Sequence, residues 1–115
     1  MSKRKERQIS RTSPEDRVIA LVKSLSDRPF VESVSDHFAG YFNELGLTLT
    51  FASDARDEDV IALQNDLLEH MNRFWGEQKP SFTWMLMFSR GDEKMLPMLP
   101  FDKPRSTDDL HWHEV

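Results

Sequence analysis

Ser81-Phe82-Thr83-Trp84-Met85-Leu86-Met87-Phe88, followed by Ser89-Arg90-Gly91-Asp92-Glu93-Lys94 and then Met95-Leu96-Pro97-Met98-Leu99-Pro100-Phe101, is the stretch on which the fold turns. Side chains alternate faces along a strand, so Phe82, Trp84, Leu86 and Phe88 share one side, and Met85 and Met87 take the other. A strand apolar on both faces needs two covers, and a chain of 115 residues holds little material for a second one. The aromatic side is therefore expected to meet helices. The methionine side is left to helices flanking that side as well, to the chain's own tail through Leu110 and Trp112, or to a partner. Arg90-Gly91-Asp92-Glu93 reads as a hairpin turn in which the glycine supplies positive φ. The return segment, 95–101, carries Pro97 and Pro100, which cannot donate to a ladder, so it predicts an edge strand or a partly polyproline-like run.

Working outward, Ser13-Pro14-Glu15-Asp16 is a helix start: a serine cap, a proline in the first turn and two acids at the positive end of the dipole. Val18, Leu21, Val22 and Leu25 recur at helical spacing and predict a helix over 14–26. Phe30, Val31, Val34, Phe38, Tyr41, Phe42 and Leu45 fall within an arc of about 120°, which predicts a second helix over 29–45, stopped by Gly46. Leu47, Leu49 and Phe51 alternate with threonines as in a half-buried strand. Val60, Ile61, Leu63, Leu67, Leu68, Met71, Phe74 and Trp75 predict a third helix over 57–75, stopped by Gly76. The predicted order is α-α-β-α-β-β, an α+β two-layer sandwich. Its three-stranded mixed sheet carries helices mainly on one face, and a right-handed crossover joins parallel strands between 47 and 89.

The division expected is a disordered basic arm over 1–12, one globular α+β domain over 13–101, and a polar C-terminal tail over 102–115 that docks through Trp112. Charge is divided along the same line. Residues 1–11 carry five cations (Lys3, Arg4, Lys5, Arg7, Arg11) against Glu6, a net +4, whereas residues 12–115 carry ten cations against nineteen acids, a net −9. An acidic body repels nucleic acid and attracts basic surfaces, and the arm does the reverse. There are no cysteines, which excludes disulfides and thiolate metal sites. No apolar run approaches the roughly 20 residues of a membrane span, and the charged N-terminus lacks the apolar segment of a secretory signal, so a cytoplasmic protein is expected.

No nucleophile elbow, phosphate loop or dinucleotide fingerprint is present, and no catalytic residue or cofactor is assigned. His111 and His113, at i and i+2 of an extended segment, could share a metal only if Asp108 or Asp109 joined them, which is weak support for a metal site. Gln64 stands in the middle of the third helix's apolar face, where a polar group must find a partner. Glu58, Asp66 and Glu69 share that helix's solvent side. The pattern favours a small acidic, non-enzymatic protein-binding module, an adaptor, inhibitor or immunity-type protein. Met85, Met87 and Trp112 would supply its contact area, and Glu58, Asp66 and Glu69 its attraction to a basic protein partner; the same face could equally serve a homo-oligomer. Two alternatives compete with it: a nucleic-acid-associated protein using Lys3, Arg4, Lys5, Arg7 and Arg11, and an enzyme or metal-binding protein with an unrecognised site.

Overall fold

The computed structural model describes residues 13–114. Its elements run α1 (Pro14–Leu25), β1 (Val31–Ala39), β2 (Glu44–Phe51), α2 (Asp57–Gln78), β3 (Thr83–Arg90), β4 (Glu93–Met98), a 3-10 turn (Thr107–Asp109) and β5 (Trp112–Glu114). The class is α+β: among the described residues two helices pack on a five-stranded mixed sheet of order β1-β2-β3-β4-β5. β2 and β3 are parallel and are linked through α2, and the other three pairs are antiparallel. The basic arm expected over 1–12, with Lys3, Arg4, Lys5, Arg7 and Arg11, lies outside the described residues.

The helix ends follow local chemistry. Ser13 caps α1, its hydroxyl accepting the Asp16 amide at 3.1 Å. α2 runs through Gly76 and stops three residues later at Lys79, which takes the left-handed conformation (φ 45°) and returns its amide to the Trp75 carbonyl. One glycine only weakens a helix locally, whereas Pro80 disfavours helical backbone at the residue before it, so the stop belongs to the proline.

The helix predicted over 29–45 is instead β1, a turn and the start of β2. Two irregularities give a strand the look of a helix here. A bulge between Val31 and Ser33 separates Val31 and Val34, both turned toward the helices, by three positions instead of two. At the next helix-side position the chain has an exposed Asp36, so the apolar spacing becomes Val34 to Phe38. Those two steps imitate i, i+3 and i, i+4. Ser33, Ser35, Asp36 and His37 are poor helix formers, and β2 offers a ladder. Asn43 at φ 51°, not Gly46, holds the left-handed position, and Gly46 lies inside β2.

The sheet thus has five strands rather than the three that the pattern predicts, since β1 and β5 flank it. The turn between β3 and β4 has Gly91 at φ 56°. β4 is an edge only in part. β5 pairs with Glu93, Lys94 and Met95, and Pro97 lies past the end of that pairing, where its missing N–H costs nothing. Leu45, Leu47, Leu49 and Phe51 of β2, and Trp84, Leu86 and Phe88 of β3, are buried against Val18, Val22, Val60, Leu63, Leu67, Leu68 and Met71 of the helices. All these side chains lie on one face of the sheet. No helix among the described residues is long and apolar enough to cross a membrane.

Candidate interaction surface

Among the described residues both helices cover the same face, and the register leaves the other side open. Across β1, β2 and β3 it presents Ser35, Thr48 and Met87 in one row, His37, Gly46 and Met85 in the next, and Ser33, Thr50 and Ser89 in a third. Lys94 and His113 extend it across β4 and β5. Met85 and Met87 are half-buried by neighbouring strands alone. Gly46 keeps the floor low, since a Cβ there would lie 3.8 Å from the Met87 methyl. A groove of about 420 Å³ crosses the face between Thr48, Met87, Ser89, Lys94 and Pro97.

The residues singled out from sequence do not form one patch. Met85 and Met87 lie on the open face. Trp112 lies across from Met95, on the helix side, where the Arg90 guanidinium stacks 4.3 Å from its ring centroid and its indole N–H donates to Asp57 Oδ1 at 3.4 Å. Trp112 therefore does not cover the methionine face. Glu58, Asp66 and Glu69 are on α2, in the opposite layer, and each faces a cation: Arg56 at 3.5 Å, Arg28 at 2.9 Å and Arg73 at 3.1 Å. Their charge is matched locally, so they are a weaker lure than the sequence suggests. Attraction and contact area thus sit on opposite sides of the molecule. His111 and His113 meet no group of three or more His, Cys, Asp or Glu side chains that could hold a metal among the described residues.

Gln64 marks a junction that the sequence signals without naming its partner. It is fully buried, donates to the Met95 sulfur at 3.1 Å, and its Oε1 faces Arg105 Nη1 at 3.5 Å. Arg105 also donates to the Leu96 and Pro97 carbonyls at 3.3 and 3.1 Å, satisfying the length of β4 that β5 leaves unpaired. Its backbone is fixed to Asn65 through two bonds of 2.8 and 2.9 Å. Burial lowers the Arg105 pKa, opposed by Asp102 and Asp109. A buried Gln in an apolar stripe demands a polar partner, but one from 41 positions away is visible only in the fold.

A second region is apolar and exposed. The β1–β2 turn presents Tyr41 and Phe42, 94% and 71% exposed, and the chain leaving β4 presents Leu99 and Phe101, 45% and 98% exposed. Sequence periodicity places Tyr41 and Phe42 on a helix's buried face, whereas here both are exposed. The turn is held from behind, because Asn43 Nδ2 donates to the Ser81 carbonyl and the Thr83 amide donates to the Asn43 carbonyl at 3.0 Å. Beneath it Phe38, Trp75, Phe82 and Trp84 form a chain of ring contacts with centroids 5.5–6.2 Å apart. The Trp84 indole N–H has no hydrogen-bond partner among the described residues. In comparisons with protein-family models, curated proteins and solved structures, the chain matches none.

Proposed function

We infer that this chain is a small non-enzymatic protein-binding module that acts by occupying a partner's surface, and that it binds through the open face of its sheet. One observation carries the reading: Met85 and Met87, at the centre of a five-stranded sheet, are flanked by small residues and have no helix above them among the described residues. Central strands are normally covered on both sides unless the outer side is polar. Methionine supplies adaptable apolar contact, and the groove beside Met87 has room for a partner's apolar side chain. The face itself carries Lys94 and Glu44 with His37 and His113, so it is not acidic. A basic partner would be drawn toward the body's net −9, but its contact with this face would be apolar.

The test is Met85→Glu with Met87→Glu. The double variant is expected to keep its circular-dichroism spectrum and a cooperative melt, while a partner retained by the wild-type protein in quantitative affinity capture is lost. If the variant unfolds, the methionines belong to the core. If the captured proteins are unchanged, the face is not the interface. Either result ends the proposal.

A further inference from the structure

We propose that the groove beside Met87 binds a small amphipathic carboxylate, a free acyl acid whose chain lies on Met87 and Pro97 and whose carboxylate meets Lys94. The groove has a local cause. Phe88 pairs with Met95 and Leu86 with Met98, so Met87 alone opposes two residues, Leu96 and Pro97. The extra residue is a β-bulge, and Pro97 brings no N–H to the ladder, so the pairing of β3 with β4 is interrupted there. The opening, about 420 Å³, is of a size that holds small molecules, and Met87, Phe88, Met95 and Pro97 give it an apolar lining with Thr48 beside them. Phe88 and Met95 belong to the buried helix side, so the groove reaches between the strands toward the core instead of lying flat on the sheet. Methionine adapts to the shape of a flexible chain.

One end of this groove is polar. The next pair along the ladder is Ser89 with Lys94, and the register extends it into a row across four strands: Thr50, Ser89, Lys94 and His113. Ser89 Oγ donates to Thr50 Oγ1 at 3.3 Å, and Lys94 is exposed and forms no ion pair among the described residues. Hydroxyls, an ammonium and an imidazole in one row offer donors to an anion. The nearby acids are turned away or set back. Glu93 and Glu114 alternate to the helix side, where Arg90 holds Glu93 at 3.4 Å. Asp92 lies in the turn two residues before Lys94. Glu32 is in β1, two strands or about 10 Å from Ser89, and Glu44 lies at the far end of β2, about 20 Å from Thr50. The net −9 of residues 12–115 repels anions at long range, so affinity has to come from contact. Burial of the chain supplies most of it, and Lys94 selects the charge. A cation would meet the ammonium head-on, and a neutral chain would gain nothing from it.

The test titrates the purified full chain with hexanoate, octanoate and decanoate below their micellar concentrations, read by calorimetry and by the backbone amide shifts of β3 and β4. No protein partner is present, so the outcome is separate from that of the interface reading. Each added methylene should tighten binding about three- to fourfold until the chain outgrows the groove. Lys94→Glu should weaken octanoate about tenfold and leave octanol within about twofold, and this exposed position keeps the fold intact. Thr48→Phe fills the groove from its other wall and should abolish binding of both ligands while the melting temperature holds. Any of four results would overturn the proposal: no binding at any chain length, amide shifts away from Met87 and Lys94, an equal effect of Lys94→Glu on octanoate and octanol, or binding of an acetylated peptide ending in a free leucine carboxylate where octanoate fails. The last result would give the groove to a protein's end in place of a free acid.

Discussion

Replacing Arg105 with alanine tests how the tail is joined to the domain. The Arg105 side chain is only 14% exposed, and its guanidinium donates to two backbone carbonyls and faces Gln64, Met95 and Asp102. Hydrogen bonds from a charged donor contribute about 1.5–3 kcal/mol, and the desolvation that lowers the Arg105 pKa takes back part of that. Truncation also leaves Gln64 Oε1 buried without its charged neighbour, a penalty of about 1–3 kcal/mol. The net loss should be about 2–4 kcal/mol. With a urea m-value near 2 kcal/mol/M for a domain of this size, the midpoint should fall by about 1–2 M. Tryptophan fluorescence and far-UV circular dichroism should report the same transition. Gln64→Met separates the two terms. Made alone it strands the Arg105 guanidinium beside an apolar group, but in the Arg105→Ala background it removes the unsatisfied oxygen. The cycle should show coupling of about 1–2 kcal/mol. A midpoint shift below about 0.3 M, or additivity within about 0.3 kcal/mol, would refute the claim that Gln64 and Arg105 act as a unit.

Two further predictions follow from backbone and charge. Lys79 is left-handed at the C-cap of α2, a conformation glycine adopts without strain, so Lys79→Gly should raise the unfolding free energy by up to about 1 kcal/mol despite glycine's greater freedom in the unfolded chain. Thermal and urea unfolding check it, and a loss of stability would contradict the assigned backbone. Asp109 accepts the Ser106 amide at 2.8 Å and the Ser106 hydroxyl at 3.1 Å, which hold its carboxyl below the ordinary range, with Ser106 the main cause. A depressed folded-state pKa contributes stability that is present above the unfolded value and lost as pH falls through the folded one. Asp109→Asn should therefore flatten the acid limb of a stability–pH profile and leave its slope above pH ~6 unchanged. An acid limb identical to wild type would remove Asp109 from that role.

The alternation in 81–88, the capped start at Ser13 and the long apolar stripe of α2 are all legible in the sequence, because each depends on neighbours within a few positions. The same local rules misread β1. A bulge and an exposed edge position produced helical spacing, and only a β2 partner could arbitrate. They also made a single surface out of Met85, Trp112 and Asp66, which belong to different faces once the register is known. Gln64 signalled a missing partner, yet nothing local in the chain pointed to Arg105. Sequence alone determined the α+β class, the parallel crossover, the hairpin at Gly91 and a strand apolar on both sides. Tertiary structure alone decided that both described helices cover one face, that β5 and Arg105 line the β4 edge, and that Tyr41, Phe42, Leu99 and Phe101 are exposed at one end of the sheet. Periodicity reports which residues are alike in environment. Which of those environments are the same place is set by strand order and chain direction, and these depend on contacts between segments far apart in the chain.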